Sequence, residues 1–472
     1  MELTYVHLIT LVATIIVVIG SGIYSARTVK SAEGYSLGGR SSGVPLIAGS
    51  IAGTVIGGGA TVGTAQLAFS LGLSAWWFTL GSGIGFIIMG LFYARPLRKS
   101  GLETIPQYLV LNYGKLAGPL ASIIASIGIF FSAVASCLPG IQIVMAMFHV
   151  SPWLAAIIIL VLVLAYVFFG GMKGAGVSGF MKLIIIWVTL FIAGGTALFA
   201  LRDLPSSAVV FPAYPWFSLF GNGVGNGLGN LFSLIVGIIC TQTYIQAVFS
   251  AADSRTAAVG AFTAALVTIP VGLPSIVVAM FMHVAHPDVL PILVLPSYLV
   301  QYQPAWLGGI GLAGILLSLI GSISGLTFGI GTMVSKDFCY ELFKIKTNKT
   351  VLWVNRFTIL VATFMAAVIA ILNLKSQVLF WNYMSMALRG GGVFLPLSLA
   401  IFAPGKLTAK WAIASMILST AAAIGSKLIG ALPIDPLFVG LTVSAGVIII
   451  GIIYGAVEKN KAPLVEQDSH QH

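Results

Sequence analysis

The stretch that decides the fold is Ala52–Gly63, which reads Ala-Gly-Thr-Val-Ile-Gly-Gly-Gly-Ala-Thr-Val-Gly within an apolar run from Val44 to Phe69. Four of its last seven residues are glycines, and each glycine weakens a helix by about 1 kcal/mol relative to alanine. In a bilayer, the backbone groups freed by a break need partners, so a break is tolerated where it lines a cavity or site. Membrane carriers bind ions and solutes at such breaks. The stretch therefore predicts a broken spanning helix at a binding site; the alternative is a close helix contact that needs small residues.

Composition indicates that the whole chain is a membrane protein. Its 472 residues are 58% hydrophobic and 7% charged, whereas soluble domains carry about 25% charged residues. A spanning helix takes about 20 apolar residues. Strand-like alternation is absent, so we predict an all-α integral membrane protein and not a barrel. The thirteen apolar runs are Val6–Tyr24, Val44–Phe69, Leu73–Phe92, Leu116–Met147, Trp153–Phe169, Gly176–Phe199, Gly225–Phe249, Ala257–His283, Trp306–Val334, Leu352–Leu372, Val378–Phe402, Trp411–Ile429 and Leu437–Tyr454.

The basic residues indicate an orientation. If the N-terminus is outside and the C-terminus is cytoplasmic, 18 of the 23 lysines and arginines lie on the inner side, against Arg202, Lys375 and Lys427 outside. The positive-inside rule favours this orientation. It also explains the net charge of +11 without a nucleic-acid partner. We expect one transmembrane domain over residues 1–456 with a short cytoplasmic tail over 457–472, in the cell membrane, of the bacterial or archaeal inner-membrane type.

Several landmarks resemble the sodium/solute symporter family. They are Gly38-Gly39-Arg40 before the break, Thr104-Ile105-Pro106-Gln107-Tyr108-Leu109 in an inner loop, Gly170-Gly171-Met172-Lys173 before the sixth span, Gln242 and Gln246 followed by Ser250-Ala251-Ala252-Asp253, and Ser335-Lys336-Asp337-Phe338 after the ninth span. The resemblance implies a leucine-transporter-like core, in which spans two to six and seven to eleven form two inverted repeats of five helices. It also implies transport by alternating access.

The resemblance further implies an ion site between the second and ninth spans. In sodium-coupled relatives, two backbone carbonyls and neighbouring hydroxyls hold the ion, and oxygen ligands suit such a hard cation. Counted from Arg40, the carbonyl positions fall on Gly53 and Ile56. Counted from Asp337, the hydroxyl positions fall on Gly321 and Ser322, so the first hydroxyl is missing here.

The sixth span departs further from the family pattern. The family's Thr-Asp-x-x-Gln maps onto Ser178, Gly179 and Lys182, so a glycine replaces the aspartate and a lysine replaces the glutamine. We hypothesise that the Lys182 ammonium takes the place of the sodium ion. Because burial disfavours a charged amine, Lys182 could also bind and release a proton. The alternatives are a side chain that extends to the nearby inner surface and a misalignment. The expected coupling ion is H⁺ or Na⁺, with no other cofactor and no metal.

Arg389 is the second intramembrane cation. It lies near the middle of the eleventh span, and none of the twelve acidic residues lies within an apolar run. A central arginine usually faces the bundle interior or an aqueous cavity, and its fork matches carboxylate or phosphate. It therefore binds either an anionic solute or backbone carbonyls. Weaker candidates for solute contacts are Gln242, Tyr244, Gln246, Gln66 and Thr61, for which interhelical hydrogen bonding is the alternative.

These observations predict a secondary active transporter of a small organic solute, anionic if Arg389 binds it, with sodium coupling lost or replaced by protons. An ordinary sodium-coupled symporter with a reduced sodium site is the alternative. A solute-sensing receptor and a passive anion channel belong to other classes. An enzyme is not expected, because no nucleophile–base pair or metal cluster is recognisable. The expected partners are the solute and the lipid bilayer, with the oligomeric state left open.

Overall fold

The structure is a computed structural model that describes residues 2–26, 36–167, 171–202, 211–344, 347–429 and 435–461. Most residues in these ranges are helical and none forms a β-strand, although Ser42 and Ala251 make an isolated bridge. The all-α prediction is therefore confirmed. The end of the fifth predicted span at Phe169, the landmark residue Gly170 and the predicted tail beyond residue 461 lie outside the described residues.

The α-helices of six or more residues mostly follow the apolar runs of the sequence, although three short ones lie between these runs. They are α1 (Tyr5–Ala26), α2 (Val44–Val55), α3 (Thr64–Leu71), α4 (Trp77–Ile88), α5 (Ala94–Lys99), α6 (Ile105–Tyr113), α7 (Ala117–Phe148), α8 (Pro152–Val167), α9 (Gly171–Arg202), α10 (Val224–Ile239), α11 (Gln242–Phe249), α12 (Ser254–Ala285), α13 (Val294–Tyr302), α14 (Ala305–Met333), α15 (Asn348–Leu372), α16 (Val378–Phe402), α17 (Ala409–Ile429) and α18 (Pro436–Lys461).

Ten helical segments of the described chain are long and apolar enough to cross a membrane, or eleven if the bent pair α10 and α11 counts as one span. The second and fifth predicted spans account for part of the difference from thirteen. Their helices α2 and α8 are apolar but shorter than a full span. A multi-pass membrane protein is thus supported, while the number thirteen stays a prediction.

The second predicted span is broken, as its glycines indicate. Helix α2 ends at Val55, and Ile56 leaves helical geometry with φ −78° and ψ 76°. The chain then makes a wide π-helical turn over Gly59–Gly63, in which the Gly63 N–H donates to the Gly58 carbonyl at 2.7 Å, before α3 begins. A break in the protein interior makes backbone carbonyls available to neighbouring side chains.

The seventh predicted span is also interrupted. Helices α10 and α11 are bent by 43° relative to each other, with Cys240 and Thr241 between them. The Thr241 hydroxyl donates to the Gly237 carbonyl at 2.6 Å, which gives that carbonyl a side-chain partner at the bend. The apolar run Gly225–Phe249 predicts one continuous span here, and the bend is a departure from that prediction.

Helix α14, the ninth predicted span, lies at the centre of the bundle. Its residues are buried along almost the whole helix, and it packs against α1, α2, α7 and α9. Helix α9, the sixth predicted span, packs against both α2 and α14. The fold therefore brings together the three spans in which the sequence departs from the family pattern.

Candidate ion and solute site

Lys182 lies inside the protein, between α9, which carries it, and α14. Its side chain is 1% exposed, and Nζ donates a hydrogen bond to the Ser318 carbonyl of α14 at 3.2 Å. The long, flexible stem of a lysine can reach from α9 to α14, where the backbone carbonyl takes the place of a water molecule as the acceptor. Lys182 therefore points into the protein and does not extend to the membrane surface.

Three glycines shape the path of the Lys182 side chain. A Cβ added at Gly53 would lie 3.5 Å from Lys182 Cε, and a Cβ added at Gly321 would overlap with Lys182 Nζ. Gly179, one helical turn before Lys182, faces α2, where a Cβ would come 2.6 Å from the Gly49 carbonyl oxygen. Gly53 and Gly179 thus allow α9 to approach α2 closely, and Gly321 leaves room for the ammonium.

Ser322, the family hydroxyl that remains, faces the break in the second span. Its Oγ donates to the Thr54 carbonyl at 2.7 Å and accepts from Ser136 Oγ at 3.3 Å. Thr54 lies in the last turn of α2, between Gly53 and Ile56, the two positions predicted to supply carbonyls. The hydroxyl predicted for an ion thus already has a backbone partner at the break.

Ser178 is close to Lys182 in sequence but bonds in a different direction. Its Oγ donates to the Val18 carbonyl of α1 at 3.4 Å. The Tyr166 hydroxyl lies 3.1 Å from the Cβ that Gly321 would carry, so it lies beside the Lys182 ammonium. Sequence reasoning missed Tyr166, because one tyrosine in an apolar run is typical of packing.

Arg389 is buried where α16 packs against α7 and α10. Its exposed fraction is 0%. Nε donates to the Gly237 carbonyl at 3.2 Å, and Nη2 contacts Met386 Sδ. Among the described residues, Nη1 has no hydrogen-bond partner. Gly128 of α7 lies so close that a Cβ there would come 2.8 Å from Arg389 Cβ. The guanidinium therefore faces the bundle interior.

Tyr244 is the predicted solute contact that lies one turn after Thr241, which shares the Gly237 carbonyl with Arg389. Its side chain is buried. Its ring packs edge-on against Phe86, with the ring centroids 5.3 Å apart. Its phenol hydroxyl is a hydrogen-bonding group in the protein interior.

Gln242 and Gln246 bond to the backbone of neighbouring segments. Gln242 Oε1 accepts from the Ile105 N–H at 2.9 Å, and its Nε2 donates to the Glu103 carbonyl at 2.9 Å. Gln246 Nε2 donates to the Ser36 carbonyl at 2.7 Å. These contacts tie α11 to two loops, as the interhelical alternative describes.

Gln66 and Thr61 also make contacts within the protein. Gln66 Oε1 accepts from the N–H of Val378, the first residue of α16, at 2.9 Å. Thr61 Oγ1 donates to the Gly57 carbonyl at 2.9 Å within the break. Both residues therefore stabilise the segments that surround the break. The described ranges contain no group of three or more His, Cys, Asp or Glu residues that could hold a metal ion.

Comparison with known sequences identifies the family. A model described as "Sodium:solute symporter family" matches residues 35–214 and 220–419. The chain is 25% identical to the high affinity choline transporter 1 of Homo sapiens over 427 residues, which covers 85% of this chain and 73% of that protein. It is 26% identical to the sodium/proline symporter of Staphylococcus aureus (strain JH9) over 436 residues, which covers 88% of this chain and 84% of that protein.

Solved structures share the fold. A substrate-bound, outward-open Na⁺-coupled sialic acid symporter superimposes with a TM-score of 0.82 at 18% identity, over 97% of this chain and 98% of that one. A nucleobase-cation-symport-1 family transporter in a closed conformation gives a TM-score of 0.57 at 10% identity, over 89% and 94% of the two chains. These neighbours confirm an all-helical, leucine-transporter-like fold, and the relatives are transporters and not enzymes. Since the family model matches most of the length of this chain, the chain belongs to the sodium:solute symporter family.

Proposed function

We propose that this protein is a secondary transporter of a small organic solute in which the Lys182 ammonium takes the place of the sodium ion. The observation that carries the proposal is the hydrogen bond from Lys182 Nζ to the Ser318 carbonyl, in the gap between the second, sixth and ninth spans. An ammonium and a sodium ion carry the same charge, and both are satisfied by carbonyl and hydroxyl oxygens.

The departures from the family pattern support the proposal because they fit one another in space. A side chain at Gly179 would collide with the Gly49 carbonyl and hold α9 away from α2. A side chain at Gly321 would occupy the volume of the Lys182 ammonium. The missing carboxylate and the missing hydroxyl are therefore the two changes that allow a lysine to enter this site.

A tethered ammonium changes how transport is coupled. Unlike sodium, it cannot leave the site, but it can lose its proton when burial disfavours its charged form. A proton taken up from one side and released to the other would couple transport to the proton gradient. A Lys182 that keeps its proton throughout the cycle would make the protein a uniporter or an exchanger.

A sodium-coupled symporter is the second candidate. The carbonyl positions Gly53 and Ile56 and the hydroxyl of Ser322 are still present around the break. The Staphylococcus aureus relative is a sodium/proline symporter. On this alternative, sodium binds weakly with the remaining oxygen ligands.

The topology that we propose for this transporter has thirteen spans in one domain over residues 1–456. Spans two to six and seven to eleven form the two inverted repeats. The N-terminus is outside, and the short tail over 457–472 is cytoplasmic. The positions of the basic residues support this orientation.

Solute counterflow in proteoliposomes tests the proposed function. Solutes are first chosen by their thermal stabilisation of the purified protein, since binding to the folded state raises Tm. Counterflow is then measured in sodium or potassium buffer at pH 6 and pH 8. We expect saturable counterflow that is equal in the two cations. Flux without counterflow would indicate a channel, and counterflow that requires sodium would favour the second candidate.

A further inference from the structure

We infer that Arg389 binds a carboxylate group of the transported solute at the bend of the seventh span. The inference rests on the proposed transport function, and it specifies the chemical class of the solute. It is carried by the hydrogen bonding of the guanidinium, by the geometry of the bend, and by the absence of acidic residues from the apolar runs.

The guanidinium of Arg389 is buried with incomplete bonding. Nε has one carbonyl acceptor, Gly237, at 3.2 Å. Nη2 contacts the sulfur of Met386, and a thioether is only a weak acceptor. Nη1 has no partner among the described residues. A buried charge without adequate partners is strongly unfavourable, so an arginine that only tied down backbone carbonyls would be expected to use Nη1 as well.

The bend holds the guanidinium in one orientation. The Gly237 carbonyl accepts from Thr241 Oγ1 at 2.6 Å as well as from Arg389 Nε. Together these contacts hold the Nε side of the Arg389 guanidinium against α10. The Nη1 side is left for a ligand, and a carboxylate can accept from a guanidinium with good geometry.

The start of α11 adds a second favourable feature for an anion. Helix α11 begins at Gln242, directly after the bend, and no side chain caps its N-terminus. The first N–H groups of a helix and its dipole favour negative charge. The Gly237 carbonyl, to which Arg389 Nε donates, also accepts from Thr241 Oγ1, directly before this helix start. The helix start and the guanidinium thus both lie at the bend.

The chain does not supply this anion from its own membrane-embedded segments. All twelve Asp and Glu residues lie outside the thirteen apolar runs. Lys182, the other intramembrane cation, donates to the Ser318 carbonyl of α14 and so faces a different element. A carboxylate on the solute would complete the bonding of Arg389, and the occupied state would carry less uncompensated charge.

Matched pairs of probes test the inference on the full-length purified protein. Thermal stability is measured with glycine betaine against choline, with proline against prolinamide, and with potassium acetate against potassium chloride. Each pair differs in a carboxylate. The same titrations are made on Arg389→Gln and on Arg389→Lys, which keeps the charge but loses the fork.

We expect at least one carboxylate to raise the Tm of the wild type more than its partner does. The apparent affinity should fall by about 30-fold or more in Arg389→Gln, as for other buried charge pairs that lose one partner, and Arg389→Lys should recover only part of it. The inference is wrong if no carboxylate raises the Tm of the wild type more than its partner does, or if Arg389→Gln responds like the wild type.

Failure of this inference can be told apart from failure of the proposed function. If Arg389→Gln does not fold, the preference of the wild type within each pair still decides. Carboxylate binding without counterflow would support Arg389 as an anion site and contradict transport. Counterflow of a solute without a carboxylate would support transport and contradict the role of Arg389.

Discussion

At the scale of single residues, the site depends on the fit between Lys182 and Gly321. A Cβ at residue 321 would overlap with the ammonium, whose hydrogen bond runs to Ser318, one turn earlier on α14. Protein interiors are close-packed, so a lysine head group and a serine side chain cannot share this space. The loss of the hydroxyl and the gain of the lysine are therefore expected to depend on each other.

A double-mutant cycle measures this dependence. Gly321→Ser should destabilise the wild type by about 1–3 kcal/mol, because the new side chain overlaps with Lys182 Nζ. In a Lys182→Ala background the same change should cost less, giving a coupling energy of about 1–2 kcal/mol. The measurement is equilibrium unfolding of the four proteins in one detergent.

Gly325→Ser is the matched control in the same helix. A Cβ at Gly325 would meet the side chain of Thr54 and not Lys182. Its cost should therefore be the same in both backgrounds. Equal costs for Gly321→Ser in the two backgrounds would contradict the arrangement described here.

At the scale of helices, the broken second span is stabilised by contacts from its own polar side chains. Gln66 of α3 accepts from the first N–H of α16, and Thr61 closes the turn at the break. Helix starts leave N–H groups without partners inside the helix, so an amide from another element can serve as a cap. The break and the eleventh span are in this way connected.

Removal of the Gln66 cap should be measurable. Gln66→Met keeps the length of the side chain but leaves the Val378 N–H without its acceptor, so we expect a loss of about 1–2 kcal/mol. The free energy of unfolding of the variant tests this. Gln301→Met is the control, because Gln301 is exposed on α13, and its effect should be within about 0.5 kcal/mol. Similar values for the two variants would mean that the cap contributes nothing.

At the scale of the whole molecule, one face of the bundle is connected by a network of polar contacts. Lys336, after α14, pairs with Glu103 at 3.0 Å, and Glu103 also accepts from Ser36 at 2.9 Å. The Glu103 backbone carbonyl accepts from Gln242 of α11. These contacts join segments before the second span, before the fourth, in the seventh and after the ninth. Alternating access requires such a face to open, so the network is expected to hold it closed.

Weakening of this network should expose the interior. Glu103→Gln removes the charge pair with Lys336, and a loss of about 1 kcal/mol corresponds to about a fivefold shift in population. We expect the labelling rate of Cys240, which is 0% exposed, to rise about fivefold with a membrane-permeant maleimide, as followed by peptide mass spectrometry. Asp288→Asn, at an exposed loop carboxylate, should leave the rate unchanged. A rate unchanged in Glu103→Gln would show that the pair does not hold this face closed.

Some of this site could be predicted from the sequence because the signals are local. The glycines of Ala52–Gly63 weaken a helix wherever they occur, and the break is present. The charged residues Lys182 and Arg389 interrupt apolar runs, and both are buried. By contrast, neither Cys240 nor Thr241 is a glycine or a proline, so the bend at these residues could not be predicted locally.

Other features depend on contacts between distant segments. A polar residue within a span can line a cavity or hydrogen-bond to a neighbouring segment, and the sequence does not distinguish the two. In the structure, Gln242 and Gln246 hydrogen-bond to neighbouring segments. Every residue has a backbone carbonyl, so the sequence does not indicate that the carbonyl of Ser318 accepts from Lys182. The fit of Gly179 and Gly321 around Lys182 likewise appears only when α2, α9 and α14 are seen together.

The central claim, that the Lys182 ammonium replaces sodium, is tested most directly by the sodium dependence of Tm. Purified wild type, Lys182→Ala and the Lys182→Ala/Gly321→Ser double variant are titrated with sodium chloride or potassium chloride at matched ionic strength. A ligand that binds only the folded state raises Tm with its concentration. We predict that the wild type has the same Tm in both salts, and that the double variant, which has lost the ammonium and regained the hydroxyl, is stabilised specifically by sodium. A sodium-specific rise in the Tm of the wild type would contradict the claim.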